Sequence, residues 1–521
     1  MHNEEGRGSF CILIKSFRRM QALFKSLSAL SMSQFISRNF ALCVCLLLSA
    51  CYHFPSDTST HDVTSTAELQ KIVLIDSNAT AFDQLVNSET VHRFYSSRHF
   101  VPVWIKNQRP SVLADSLLSF IDTCRFYGLL PQRYNIQSLK ALRPDSVFFN
   151  DNDLKRFDLL LSDAFLIICG DLKSGREPMD SLLLHSRRSK IDSLGAMLLS
   201  RVVDKDAISS ALLSQEPTCS RYVGLRDEIK RILLSEDGVR KKFFLSGGID
   251  TTETSSQLRS LEINMDRWRR EIVLPKRHIF VNIPSFTLSV YEDDTISFHS
   301  DVIVGNDKNQ TPLLDGLVRH FTIFPSWTVP RSIAVKEILP NLKNDSTYLE
   351  THNYNVLDVD GNILDASLIN WQDYHRDNFP FMIRQKQGIF NALGLIKFSF
   401  RNPYSIYLHD TNAKMMFKKE NRALSHGCVR VEKALELGRY LVRDNVVCSP
   451  EDLDQYLEMK KQLVINVTEP IPVYLRYYTC EIIDGKAAYY DDVYGVDEKL
   501  VAAIYGAEGQ QEQKFPESSI E

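Results

Sequence analysis

The sequence lacks the short motifs that would place it in several common functional classes. Its 521 residues contain no Gly-x-x-x-x-Gly-Lys-[Ser/Thr] loop and no Gly-x-Gly-x-x-Gly turn, so nothing in it supports nucleotide binding. The 10 cysteines include no Cys-x-x-Cys pair, which excludes a zinc ribbon and a thioredoxin motif. The formal net charge of -4 implies no basic surface for nucleic acid. With 44% hydrophobic and 24% charged residues, the composition is that of a globular chain.

No apolar run near the N-terminus has the length of a membrane span, but one has the length of a secretory signal. Residues 40–51 hold about eleven apolar residues, whereas a spanning helix needs about 20, and Arg38 supplies the positive flank. The run ends in Leu-Ser-Ala-Cys at 48–51, which resembles a bacterial lipobox. We therefore predict a lipoprotein signal over residues 1–51, with cleavage before Cys51 and lipidation of its thiol. A plain signal peptide is the alternative.

The apolar pattern changes period along the chain and predicts an α+β protein. Stripes of apolar residues at helical spacing, as in 111–124 and 154–168, indicate a helical first half. From residue 277 onward, short β-branched and aromatic runs indicate strands. The predicted segments are a flexible tether (52–84), a helical scaffold domain (85–235), a linker with a connecting helix (236–276), a mainly β domain (277–480) with an inserted cap at about 331–390, and a closing strand followed by a disordered acidic tail (481–521).

Residues that could carry chemistry cluster near two predicted strands. In YSIYLH, Ile406 and Leu408 share one face, the predicted core, so His409 lies on the other face and should be accessible. Further along, SHGCVRV would direct Val429 and Val431 to the core. Cys428 and Arg430 would then be exposed together on the polar side.

A thiol, an imidazole and a guanidinium on one side of a sheet are sufficient for nucleophilic acyl transfer. The thiolate of Cys428 would attack a carbonyl while His409 first removes and later returns a proton. Gly427 lets the backbone approach the substrate, so that amide N–H groups can face an oxyanion, and Arg430 could bind a carboxylate. Two alternatives remain open on the residues alone: a buried, inert Cys428 beside a surface His409, or a zinc site formed by His409, His426 and Cys428.

The same residues resemble the signature of the YkuD-type L,D-transpeptidases, in which a histidine is followed by [Ser/Thr]-His-Gly-Cys. Here these are His409 and the run from Ser425 to Cys428. The segments FVNIPSFTLSVYED, FPSWTVPRSIAVKEILP and NALGLIKFSFRNPYSIYLHDT are similar to the catalytic domain of the large YcbB-like subgroup. The helical half resembles the scaffold domain of that subgroup, so the resemblance covers about residues 85–450. A peptidoglycan-binding module, which the subgroup often carries, has no room at 236–255.

The resemblance implies a role for each matching position. Cys428 would be the nucleophile and His409 the general base and acid, while Gly427 and Cys428 would supply the oxyanion N–H groups. Arg430, Tyr407 and Ser425 would line the substrate groove. The histidine would be oriented by a backbone carbonyl, His426 would be structural, and neither Asn391 nor Asp410 receives a catalytic role.

The resemblance also implies a substrate and a location. Peptidoglycan stem peptides would be cross-linked through their third residues, without a metal or an organic cofactor. A non-catalytic wall-binding lipoprotein and a cysteine peptidase of stem peptides are the alternatives. Together with the lipobox, this predicts an exported protein anchored by lipid at the periplasmic face of a membrane, with no nucleic-acid partner.

Overall fold

The computed structural model describes residues 75, 82, 85–142, 151–176, 195–202, 207–271 and 273–505. The predicted signal with Cys51, nearly all of the predicted tether and the end of the predicted acidic tail lie outside the described residues. Within these ranges no helix combines the length and the apolarity that a bilayer span requires.

Helices build the first domain, as the apolar stripes predict. The helix that begins at Val112 is capped by Ser111, whose hydroxyl accepts the N–H of Ala114. The turn after it ends at Gly128, whose φ of +66° favours glycine. The helices are α1 (Ser88–Ser97), α2 (Val112–Thr123), α3 (Ile136–Ala141), α4 (Asp151–Ser174), α5 (Ile208–Leu213), α6 (Ser220–Ser235), α7 (Gly238–Leu245) and α8 (Glu253–Arg270). Two short strands, β1 (Ile105–Lys106) and β2 (Arg109–Pro110), form a hairpin before α2.

The segment interpreted as a linker holds more structure than its composition suggests. Asp237 caps α7 by accepting the N–H groups of Val239 and Arg240, so residues 238–245 are helical rather than a loop. The connecting helix α8 is present and begins near its predicted start. Its predicted apolar stripe, which includes Leu258 and Leu261, is buried.

The second domain is a β-barrel whose strands have the predicted period of two. The strands are β3 (Arg277–Asn282), β4 (Thr287–Glu292), β5 (Thr295–Gly305), β6 (Leu314–Ile323), β11 (Ile396–Ser399), β12 (Tyr407–His409), β13 (Ala423–Ser425), β14 (Val429–Val431) and β15 (Leu463–Arg476). In the described part of the chain they form one sheet with the order β13-β5-β14-β12-β11-β6-β15-β3-β4. An additional pairing of β4 with β5 closes this order on itself.

Alternation fills the inside of the barrel with apolar side chains. Leu408, Val429 and Val431 have no exposed surface, which confirms their predicted orientation, and Ile406 is also buried. Two helices, α12 (Ala434–Val442) and α13 (Pro450–Glu458), follow β14. Their apolar residues Leu437 and Leu453 join the same core.

The predicted insertion is a separate small layer, which we call the cap (residues 327–385). Its sheet has the order β7-β10-β8-β9, from β7 (Trp327–Thr328), β8 (Tyr354–Leu357), β9 (Ile363–Leu364) and β10 (Met382–Gln385). Its helices are α9 (Arg331–Ile333), a π-helical turn (Ala334–Ile338), α10 (Leu339–Asn344) and α11 (Tyr348–Thr351). Ile338, Phe379 and Ile383 belong to a core cluster distinct from that of the barrel.

The C-terminal segment (481–521), predicted as a closing strand and an acidic tail, also contains a helix that was not predicted. Strands β16 (Cys480–Ile483) and β17 (Lys486–Tyr489) form a hairpin, and helix α14 (Val496–Tyr505) follows it. The acidic tail itself, residues 506–521, lies outside the described residues. The N-terminus of α14 is capped by Asp492, which accepts the N–H groups of Val496 and Asp497.

Candidate active site

Strand register places the chemically interesting side chains in one row. Lys397 of β11 lies opposite His409 of β12, and His409 lies beside Arg430 of β14. Directly paired residues point to the same side of a sheet, so these three share the face opposite the barrel core. Tyr407 and Cys428, each two residues earlier on its own segment, lie on that side as well. We call these five residues the polar face.

Cys428 sits at the end of a tight loop between β13 and β14. Gly427 has a φ of +109°, a conformation that L side chains rarely adopt. The Ser425 hydroxyl accepts the N–H of Gly427 at 3.1 Å and donates to the carbonyl of Cys428 at 2.6 Å. These two bonds fix the loop from within.

Those bonds correct two predictions. Ser425 is only 2% exposed, and its hydroxyl is used inside the loop, so it does not line the groove. The N–H of Gly427 is also engaged and is not free to meet an oxyanion. Within the described residues, the N–H of Cys428 has no acceptor. Cys428 therefore supplies the one candidate oxyanion donor of the pair.

His409 is held in a single tautomer. Its Nδ1 is hydrogen-bonded to the backbone carbonyl of Asp410, the kind of group that the resemblance implied. A carbonyl can only accept, so Nδ1 carries the proton and Nε2 keeps its lone pair. Nε2 is thus the nitrogen that could accept a proton.

His409 is buried, not accessible as predicted, with 5% of its surface exposed. Burial lowers its pKa to about 3, and the positive charges of Arg430 and Lys397 act in the same direction. The imidazole is therefore neutral at physiological pH.

The thiol of Cys428 is half-buried and lies 3.8 Å from the carbonyl oxygen of Ser405. Burial raises its pKa, although the backbone and hydroxyl of Tyr407 and the charges of Lys397 and Arg430 oppose this. The positive charges that favour the thiolate are therefore those of Lys397 and Arg430, because the imidazole of His409 is neutral.

Lys397 was missed by the sequence analysis. Its Nζ lies 4.0 Å from the ring centroid of Tyr407, and burial lowers its pKa. The signal was present in the alternation of IKFS, since Ile396 and Phe398 are buried in the core and Lys397 must face the other way. A lysine in a short strand resembles an ordinary solvent-exposed position, which is why it was overlooked.

Arg430 also lies on the polar face, as predicted, and its Nη1 is 3.5 Å from Sδ of Met416. Burial lowers its pKa as well. Neither Arg430 nor Lys397 has a carboxylate within ion-pair distance among the residues that the structure describes. The ring of Tyr407 meets that of His409 edge-on at 5.4 Å between centroids, so the tyrosine also faces the site.

His426 connects the Cys428 loop to the cap. Its Nε2 lies 2.6 Å from a carboxylate oxygen of Glu337, and both side chains are exposed. This contact supports the structural role implied for His426. Within the described ranges, no group of three histidine, cysteine or acidic side chains is arranged to hold a metal ion. The geometry therefore does not favour the zinc alternative of His409, His426 and Cys428.

The two residues without a catalytic assignment are structural. Asp410 is buried, accepts the N–H of Leu395 at 2.9 Å and pairs with Lys414 at 2.6 Å. Asn391 is buried where the chain returns from the cap. Its side chain donates to the carbonyl of Lys386 at 2.8 Å and accepts the N–H of Leu393 at 2.8 Å.

The polar face thus combines a cysteine, a neutral histidine and two cations on the outside of a β-barrel. Comparison with known proteins identifies this domain. Residues 276–448 match the family model of the L,D-transpeptidase catalytic domain (YkuD), and residues 89–229 match that of the Scaffold domain. The chain is a helical scaffold followed by a barrel with the L,D-transpeptidase fold, which confirms the resemblance and the predicted fold class.

One curated relative is a Haemophilus influenzae protein named "Putative L,D-transpeptidase". It is 35% identical over 254 residues, which are 48% of this chain and 51% of the relative. The chain thus spans about half the length of the curated relative that it matches.

Two solved structures are similar over a smaller share of the chain. The catalytic domain of E. faecium L,D-transpeptidase acylated by ertapenem is 11% identical, with a TM-score of 0.18, over 39% of this chain and all of that domain. The L,D-transpeptidase from Mycobacterium smegmatis is 12% identical, with a TM-score of 0.17, over 39% of this chain and 58% of that protein. The assignment of the two domains rests on the family models.

Proposed function

We propose that this protein is a peptidoglycan L,D-transpeptidase that uses Cys428 as its nucleophile. The donor is a stem tetrapeptide, and the bond that is broken joins its third residue, a diamino acid, to the terminal D-Ala. The observation that carries the proposal is the placement of Cys428 and a neutral, carbonyl-oriented His409 on one face of a YkuD-type domain.

The acylation step follows from the protonation states. Nε2 of His409 accepts the thiol proton as Sγ of Cys428 forms a bond to the carbonyl carbon. The carbonyl oxygen becomes an oxyanion that faces the N–H of Cys428. When the tetrahedral intermediate collapses, the C–N bond breaks, and the imidazolium returns its proton to the departing amine of D-Ala. A thioester remains on Cys428.

The second half of the reaction reverses these roles. The side-chain amine of another stem attacks the thioester, His409 removes a proton from it, and the thiol leaves. The product is a cross-link between the third residues of two stems. Water in place of the amine would give a tripeptide instead, which is L,D-carboxypeptidase activity.

The unpaired cations of the polar face support an anionic substrate. Lys397 and Arg430 are half-buried and lack acidic partners in the described chain, so a substrate carboxylate could form ion pairs with them. Tetrapeptide stems carry such carboxylates. The cap contacts the Cys428 loop through Glu337 and His426, and by limiting the access of water it would favour transfer over hydrolysis.

Incubation of the protein with a purified disaccharide tetrapeptide, followed by mass spectrometry, tests this function. We expect a cross-linked dimer and free D-Ala, and neither product from Cys428→Ala. Tripeptide and D-Ala without dimer would identify a carboxypeptidase, and internal cleavage of the stem a peptidase. An unchanged tetrapeptide that nevertheless binds would identify a wall-binding lipoprotein and contradict the proposal.

We also propose that the protein is exported and lipid-anchored at the periplasmic face of the cell envelope. The lipobox-like sequence before Cys51 supports this. Metabolic labelling with a palmitate analogue should mark the wild-type protein and leave Cys51→Ala unmarked. A wild-type protein without label would contradict the lipid anchor, and label that persists in Cys51→Ala would contradict Cys51 as its site. Neither result bears on the transpeptidase activity.

A further inference from the structure

The carbonyl of Gly427 is held by a residue from a different loop. The hydroxyl of Thr311 donates to this carbonyl at 2.7 Å and accepts the N–H of Gly305 at 2.8 Å. Thr311 is 2% exposed, so neither bond competes with bulk water. The loop between β5 and β6 is thereby joined to the Cys428 loop.

Thr311 is in turn held by the C-terminal segment. The hydroxyl of Tyr494 donates to the carbonyl of Gly305 at 2.6 Å and accepts the N–H of Thr311 at 3.2 Å. The N–H of Tyr494 donates to the hydroxyl of Tyr477 at 2.9 Å, and that hydroxyl donates to Asp492 at 2.6 Å. Tyr494 and Tyr477 are both buried.

This chain of bonds ends at the peptide group that matters for acylation. The C=O of Gly427 and the N–H of Cys428 belong to one planar, trans peptide unit and point in opposite directions. A donor that fixes the C=O therefore fixes the direction of the N–H. A hydrogen bond to the C=O also polarises the peptide and strengthens its N–H as a donor.

We propose that Tyr494 is a positioning residue that, through Thr311, aims the N–H of Cys428 at the oxyanion of the acylation step. The inference rests on the proposed function, because it assumes that Cys428 is acylated. Tyr494 lies beyond residues 276–448, which match the catalytic-domain family model. The C-terminal segment would then be part of the working active site.

Two reactions of the same thiol separate this role from a merely structural one. Acylation by a carbapenem such as ertapenem passes through an oxyanion, whereas alkylation by iodoacetamide does not. In Tyr494→Phe we expect the acylation rate to fall about tenfold, since small misplacements of a catalytic group are costly, while the alkylation rate stays within about twofold of wild type. Thr311→Val should show the same pattern more strongly, and Thr311→Ser should restore most of the acylation rate.

Tyr478→Phe is the matched control. Tyr478 lies in the same segment, is buried, and its hydroxyl bonds to Glu271 at 3.2 Å, away from both loops. It should leave both rates unchanged. Acylation that is unaffected in Tyr494→Phe and Thr311→Val, or acylation and alkylation that fall together, would overturn the positioning role. A wild-type protein that is alkylated at Cys428 but is acylated by neither the carbapenem nor the tetrapeptide would instead refute the proposed function and, with it, this role.

Discussion

Two groups of basic side chains in this molecule, one fully buried and the other half-buried, differ in how they are paired. In the junction between α8 and the scaffold helices, each arginine meets a carboxylate: the pairs are Arg125–Glu262 at 2.8 Å, Arg176–Asp266 at 2.7 Å and Arg269–Asp266 at 2.8 Å. On the polar face, Lys397 and Arg430 have no carboxylate partner among the described residues. The arginines of the first group form ion pairs inside the fold, whereas the two cations of the polar face do not.

The pKa values express the same difference. Burial alone would lower the pKa of Arg176, but Asp266 raises it above its ordinary value. Burial lowers the pKa of Arg430, and only the thiol of Cys428 and the hydroxyl of Tyr407 oppose it. Leaving a half-buried cation without a partner costs stability, and such a cost is typical of sites that await an anionic ligand.

The largest expected effect concerns the paired group. Glu262→Gln leaves Arg125 and Arg176 partly uncompensated in the interior, so we expect the free energy of unfolding to fall by about 3–5 kcal/mol. Chemical denaturation measures this. Asp454→Asn, which removes the exposed partner of Arg439, is the control and should change it by less than about 1 kcal/mol. If Glu262→Gln lowers the free energy of unfolding by less than about 1 kcal/mol, the buried ion pairs of Arg125 and Arg176 contribute little to stability.

The unpaired group should respond in the opposite way. Arg430→Ala removes a contact to the substrate carboxylate worth about 1.5–3 kcal/mol, so kcat/KM for the tetrapeptide should fall at least about tenfold while stability is retained. Arg430→Lys keeps the charge but loses the planar guanidinium group, so kcat/KM should fall less in this variant than in Arg430→Ala. Unchanged kinetics together with easier unfolding would place Arg430 with the structural arginines.

The pH dependence of alkylation tests the charges around the thiol. With a neutral His409 and a raised thiol pKa, the iodoacetamide rate should keep rising above about pH 8.5, the pKa of an ordinary thiol, without a plateau near neutrality. Lys397→Met removes a positive charge that favours the thiolate, so the rate profile should move to higher pH. A plateau already at neutral pH, lost in His409→Ala, would instead indicate the imidazolium–thiolate pair.

The smallest effect is expected where the cap meets the Cys428 loop. Glu337 and His426 are exposed, so Glu337→Gln should change the free energy of unfolding by less than about 1 kcal/mol. If the cap limits water, the ratio of tripeptide to cross-linked dimer should rise modestly. A ratio that stays constant, measured by liquid chromatography, would argue against a role for this contact in excluding water.

Alternation within strands accounts for what the sequence could predict about the site. It placed Val429 and Val431 in the core, and it therefore placed Cys428 and Arg430 outside. It could not predict that His409 is buried, because the burial of a polar strand face depends on what packs above it. The roles of Ser425 and Gly427 also escaped prediction, since they depend on hydrogen bonds inside a loop.

The prediction of helices from the sequence has the same limit, because contacts between distant residues cannot be read from a local pattern. Apolar stripes predicted α2, α4 and α8, where burial and helical period agree. Helix α7 was interpreted as part of a linker, and α14 was not predicted, because short helices carry weak periodicity. Their caps, Asp237 and Asp492, were the signals available in the sequence. The link from Tyr494 to the Cys428 loop joins residues far apart in the chain and could be seen only in three dimensions.

Trapping the acyl-enzyme tests the central claim most directly. A carbapenem carries a strained lactam ring, which opens when a thiolate attacks its carbonyl carbon. The resulting thioester is cleaved only if water or an amine reaches it. After incubation with ertapenem, intact-protein mass spectrometry should show one adduct, which peptide mapping assigns to Cys428 and which is absent from Cys428→Ala. An adduct on Cys124, Cys448 or Cys480 instead, or no adduct on a protein that still cross-links tetrapeptides, would contradict the assignment of Cys428 as the nucleophile.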